Sequence, residues 1–429
     1  MTLTVASPAV GPAGGASRLR RRGFALAASV TFVAVGVAYS LLWAPVVRHH
    51  PYWIQPGDLW ATYRTAHYVG WGDLGGVYAA STALVTFPGI LLALAPVAML
   101  TGALGLSESF PKFLPHPTAW LLLDPWMLIV SAVAIVAADA LAEHLGASRR
   151  RRMILCVAQA AVLWNLSVIW GHPEDAVAVG LALYGIVFAL QGRWTGAGWL
   201  FGAALATQPL VLLVCPIVLG LAGRRQIFGL VCRMVAPPAL LIATPLVSQF
   251  AATTHALLDQ PNFPRLDHAT PWTALAPALG GHGRTVAVAA GPGRLVAVVL
   301  AGGLGWMARR WRHRPEAVVG AVAVALALRC LTESVMVAFY IWPALAVALV
   351  AAATVGGGRL FAAAGVALVT SMVAQSHLGE LPWWMAVVGG TAAAVGLGLI
   401  PARGWKPLTV SSGPRRGREP PPVLVGAIR

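Results

Sequence analysis

The sequence predicts an all-α polytopic membrane protein, with about ten to twelve transmembrane helices. Three observations carry this. The 429-residue chain is 58% hydrophobic and only 10% charged, with a mean hydropathy of +0.75, far too apolar for a water-soluble fold of that length. Its apolar residues fall into runs of roughly the length that crosses a bilayer. Its arginines fall in short clusters between those runs, which is how the positive-inside rule distributes them. The same clustering turns the net charge of +16 into a statement about membrane orientation, and nucleic acid is not an expected partner.

In chain order, residues 1 to 23 are small, Pro/Gly/Ala-rich and then basic, the composition of a disordered cytoplasmic tail. Arg18 to Arg22 hold the start of a first span, about 24 to 47, on the inside, which puts the following loop outside. That loop, about 48 to 118, contains one further apolar run, about 84 to 104. If it crossed, Arg149 to Arg152 would end up outside, so it is expected to lie along or dip into the outer leaflet as a membrane-surface helix. Spans follow at about 119 to 142, 153 to 170 and 176 to 191. The segment 198 to 222 is flanked by arginines on both sides and reads as two half-membrane helices meeting at Gln208-Pro209. A span at about 235 to 256 leads to a second outer loop, about 257 to 284. Further spans end at Arg309, run from 316 to 338, and occupy about 340 to 358, 360 to 376 and 385 to 401. A basic, Pro-rich cytoplasmic tail fills 402 to 429. Residues 24 to 401 thus form a single transmembrane domain in a plasma membrane, with both termini cytoplasmic. Cys156, Cys215, Cys232 and Cys330 sit in or beside apolar runs and read as small core residues, with neither disulfide nor metal spacing.

By this topology most carboxylates reach the outer face, although the rule that set the topology counts only Lys and Arg. The stretch from His49 to Tyr78 is the most polar part of it. Its centre is Asp58, after the turn signal Pro56-Gly57, where a carboxylate can act as a general base or simply cap the helix that Leu59-Trp60 begins. Arg64 and His67 follow at helical spacing and can hold an anionic phosphate or pair with Asp73, which itself sits in a turn-like Gly-rich setting and is a further ligand candidate. His172, Glu174 and Asp175 crowd a short turn. Pro173 marks a helix start there, and no second ligand pair is in place, so no metal is assigned. Arg329 and Glu333 stand four apart in an apolar helix with Tyr340 beyond, where an ionisable pair is either functional or mutually neutralising. His268, in the second outer loop, is placed to meet Asp58 across the outer face.

At Gly171-His-Pro-Glu-Asp175, followed by the Gly-rich run from Gly192 to Pro209, the chain resembles actinobacterial membrane glycosyltransferases of the polyprenyl-phosphate-mannose type, within the GT-C superfamily. Asp58 matches that family's loop carboxylate, and Gln208 stands where many relatives carry Lys. The resemblance implies a GT-C-like fold and inverting transfer of a sugar, mannose by analogy, from a polyprenyl-phosphate donor to a lipid or glycan acceptor of the cell envelope. It implies neither metal nor other cofactor. Asp58 would be the base, and Arg64, His67 or Arg329 would face the leaving phosphate. A transporter or flippase for a lipid-linked or anionic solute, and a non-catalytic scaffold in envelope biosynthesis, are the competing expectations.

Overall fold

A computed structural model describes residues 22–43, 57–80, 84, 86–108, 117–280, 286–376 and 378–399. The expectations for the two tails, including Arg18 to Arg21, and for His49 to Pro56 lie outside these residues. Almost everything described is helical: α1 (Gly23–Trp43), α2 (Gly57–Gly70), α3 (Val77–Ala80), α4 (Pro88–Ala103), α5 (Trp120–Ser131), α6 (Val133–His144), α7 (Arg149–Trp164), α8 (Pro173–Leu190), α9 (Trp194–Thr207), α10 (Cys215–Leu221), α11 (Arg224–Ser248), α12 (Phe250–Leu258), α13 (Gly293–Ala308), α14 (Pro315–Thr332), α15 (Trp342–Val355), α16 (Gly357–Ala374) and α17 (Glu380–Leu399). One small antiparallel pairing joins His268–Ala269 to Val335–Met336.

Nine helices among the described residues are long and apolar enough to cross a membrane, so this is an all-α polytopic membrane architecture. The most enclosed is α15, buried from Trp342 to Ala353 and packed among α7, α14, α16 and α17. A helix apolar on every side belongs at such a position. The outer helices turn apolar side chains outward instead, as α11 does with Phe228, Leu240 and Val247.

Contacts sort the helix ends into two sets. On one side Arg22 and Arg152 meet Asp139 and Glu143, Arg151 donates to the carbonyls of Ala353 and Thr354, and Arg312 donates to those of Gly220 and Ala222. This is the arginine face. On the other, Asp58 meets His172, the Ser248 hydroxyl donates to the Gly75 carbonyl, and Gln375 donates to Asn165. The alternation matches the order expected from charge, including the placement of Arg149 to Arg152 opposite Asp58.

Two expected irregularities take definite form. The run read as a non-crossing helix is α4, 16 residues long, which packs antiparallel to α2, with Gly70 against Met99 and Tyr63 bonded to Thr101. The segment after Arg193 rises as α9 and turns at Gln208. From there it returns through a short 3₁₀ turn (Pro209–Leu213) and α10 to the arginine face. Pro209 explains the turn, because it disfavours helical backbone in the residue before it, and Gln208 is extended at φ −151° and ψ 121°. Gly89 of α4 lies against the backbone of Ala206 and Thr207, close to where the hairpin turns, and a side chain there would collide with it. The span expected at about 235 to 256 starts earlier. Gly223 and Gln226 cap α11 at Arg224, and its three prolines fall within a helix ending at Ser248.

Candidate active site

The Asp58 face is built where four chain segments converge. The first is the start of α2. The second is the junction of α7 and α8, where a π-helical turn (Asn165–Ile169) ends in Gly171 at φ +66°. That left-handed residue reverses the chain, so that the His172 amide donates back to the Leu166 carbonyl and Pro173 can open α8. The third is the end of α14 with the 3₁₀ turn Ala338–Ile341, and the fourth is the described part of the loop after α12, residues 259–280. Thr270 and Thr273 bind that loop down through the carbonyls of Glu333 and Ser334, and Trp272 does so through that of Leu331.

His172 is the hinge of the arrangement. Its Nδ1–H donates to Glu174 Oε1 at 2.5 Å, its Nε2 lies 3.5 Å from Asp58 Oδ2, and its ring stacks on Phe339 at 3.9 Å. Burial alone would push the imidazole pKa down. The charge of Glu174 and the hydrogen bonds and charge of Asp58 outweigh it, lifting His172 to about 10. His172 is thus a fixed cation at neutral pH. Its hydrogen bond holds the Asp58 carboxyl below the usual range, against the opposing effect of burial. Asp58 itself is 60% exposed, and its carboxylate meets His172 rather than the first-turn amides of α2. A carboxylate that is solvent-facing, ionised and oriented from behind by a buried cation can accept a proton or face a developing positive charge.

Behind this group lies a second set of charges. Glu333 is buried and takes Arg294 Nε on Oε1 at 2.9 Å and on Oε2 at 3.2 Å, and Arg329 Nε stands 3.6 Å from Oε2. The expected pair is therefore part of a triad with two guanidiniums on one carboxylate. Arg329 also covers the face of Tyr340, with Cζ 3.6 Å from the ring centroid. Asp175 is fully buried in the first turn of α8, with Gln208 at the turn of the hairpin as its neutral neighbour.

The remaining candidates go elsewhere. Arg64 and His67 both face Glu108, at 3.4 and 3.0 Å. They lie six and nine residues along α2 from Asp58, about 9 and 14 Å at helical rise. Asp73 accepts the Gly76 amide, three residues on, at 3.0 Å, which accounts for it as a turn residue. His268 stacks flat on Trp383 of α17 at 3.6 Å. Its neighbour Asp267 is the loop group that senses Asp58. Burial, then the Asp58 charge, push its carboxyl up to about 6, with His172 pulling the other way. Among the described residues no three His, Cys, Asp or Glu side chains are grouped to hold a metal ion. Arg294 and Asp267 were not singled out from sequence. Arg294 shares that side of the molecule with Arg64 and Arg329, and no local pattern in the sequence sets it apart.

No family model and no curated protein matches this chain.

Proposed function

We propose that the chain is a membrane glycosyltransferase working at the Asp58 face. The observation that supports it most is the exposed Asp58 carboxylate, oriented by the buried His172 and Glu174, on the same side of the molecule as the Arg294–Glu333–Arg329 triad. In the proposed reaction an acceptor hydroxyl oxygen forms a bond to the anomeric carbon of a polyprenyl-phosphate sugar as Asp58 takes its proton. The bond from that carbon to the phosphate oxygen breaks, and its electron pair leaves with the polyprenyl phosphate. Phosphate is a good leaving group, so what the protein must add is a base and positive charge, and Arg294 is the cation proposed to supply the charge. Arg64 and His67, bound to Glu108 further along α2, are better placed to meet lipid headgroups than the reacting bond. The acceptor is a lipid or glycan of the cell envelope, and mannose is the sugar by family resemblance. The positive-inside rule puts the arginine face, and with it both ends of the helix series, on the cytoplasmic side of a plasma membrane.

A transporter is the second reading, favoured by the α9–α10 hairpin, because broken helices that turn near a buried carboxylate are a feature of transporter sites. No second such hairpin occurs among the described residues. Purified protein in sealed lipid vesicles, given radiolabelled polyprenyl-phosphate sugars, separates the two. Labelled product supports transfer. Movement of label across the membrane with no new product would replace transfer with transport.

A further inference from the structure

Asp175 and Arg329 are the unusual pair on this face. Both Asp175 oxygens and Arg329 Nη1 are buried, and none of the three has a partner at full hydrogen-bond geometry among the described residues, although the Gln208 side chain lies close enough to Asp175 to act on its charge. Asp175 has no exposed surface at all. The two groups are close enough to be each other's electrostatic partners, yet no ion pair forms between them within 4.0 Å among the described residues. Trp170, whose indole N–H is likewise buried and without a partner, packs on the Phe339 ring that His172 also covers. Donors and acceptors are thus held apart in the same neighbourhood. Leaving such atoms unmatched in a buried place is costly, at about 1 to 3 kcal/mol each.

Charge narrows what can complete them. An anion would gain from Arg329 but be repelled by Asp175, and a metal ion would gain from Asp175 but be repelled by Arg329. A neutral hydroxyl satisfies both, since it donates its hydrogen to a carboxylate and accepts from a guanidinium through the same oxygen. Asp175 is three residues beyond His172, whose ring touches Asp58, so a ligand spanning both places has its reactive end at Asp58 and its hydroxyls further in. We infer that Asp175 and Arg329, with Gln208 beside them, form a subsite for ring hydroxyls of the sugar whose anomeric carbon is presented to Asp58. This rests on the glycosyltransferase reading for the identity of the ligand.

The test uses the full chain in lipid nanodiscs and measures binding by thermal stabilisation. The probes are a set of polyprenyl-phosphate hexoses and pentoses, their mono-deoxy forms, and polyprenyl phosphate without sugar. At least one sugar lipid should bind the parent about 10- to 100-fold more tightly than the bare lipid, the range set by leaving one buried polar group unmatched. One deoxy form of that sugar should lose the advantage. Asp175→Asn, and the doubly neutral Asp175→Asn/Arg329→Gln, should lose it too while binding the bare lipid within about 2-fold of the parent. Equal binding of sugar-bearing, deoxy and bare lipids by the parent overturns the subsite, and this arm needs no variant to fold. A sugar preference that survives in both variants also overturns it, leaving ordered water as the partner of these atoms. Transfer assays on the same preparations keep the two ideas apart. Transfer without hydroxyl preference removes only the subsite, and hydroxyl-dependent binding without transfer removes only the enzyme.

Discussion

The two faces of the molecule each carry a cluster of buried or half-buried charges, and they are finished differently. On the arginine face Arg22 and Arg152 share Asp139 and Glu143. All four carboxylate oxygens are engaged at 2.6 to 3.0 Å, and the cluster sums to zero. It closes on itself and ties α1, α6 and α7 together. On the Asp58 face one carboxylate points to solvent, Glu333 is shared by two arginines, and Asp175 and Arg329 keep unmatched atoms. A cluster that only holds helices together has no reason to leave donors and acceptors open. The contrast is why the Asp58 face, rather than the equally charged opposite one, is read as the place of chemistry.

The largest effect that separates the faces is expected at Asp58. Asp58→Asn keeps size and removes basicity, so transfer should fall by about 100- to 10,000-fold with little change in donor binding, read as kcat against KM. A change of only a few-fold would return Asp58 to the role of a helix-start residue. On the opposite face Asp139→Asn leaves two arginines with Glu143 as their one shared carboxylate in the cluster. It should lower stability by about 3 to 5 kcal/mol, measured by thermal unfolding in detergent, without altering turnover per folded molecule.

The Glu333 triad gives a finer test. Arg329→Gln leaves Glu333 paired with Arg294, whereas Glu333→Gln leaves two cations facing each other. The second should destabilise more than the first, by about 1 kcal/mol or more. Equal melting temperatures would mean the triad contributes nothing to folding. The smallest effect belongs to Asp267. Its folded pKa of about 6 lies above the ordinary 3.8, so its contribution to stability is present below about pH 4 and lost as pH rises through 6. Over that window the parent should lose on the order of a few degrees in Tm relative to Asp267→Asn. Parallel curves for the two proteins would place Asp267 in open water.

Much of the fold was legible because charge placement and apolar run length are local properties that the membrane makes decisive. The break at Gln208 followed from Pro209, and the apolar run expected not to cross forms α4, 16 residues long. The site was legible only in part. His172 and Glu174 could be picked out because they crowd one short turn, and Arg329 and Glu333 because helical spacing joins them. Partners far apart in sequence were not. Glu108 takes Arg64 and His67 where Asp73 was the nearer candidate, Arg294 reaches Glu333 from another helix, and His268 stacks on Trp383 of α17. Those choices depend on how α2, α13 and α17 pack, which no local pattern records.

The central claim is that one charged face reacts and the other only holds. Sugar transfer per folded molecule, measured side by side in lipid for the parent, Asp58→Asn and Asp139→Asn, tests it most directly. The account predicts transfer by the parent, its loss by about 100-fold or more in Asp58→Asn, and a parent-like rate for the folded fraction of Asp139→Asn. Equal rates for the parent and Asp58→Asn, or a loss confined to Asp139→Asn, would contradict it.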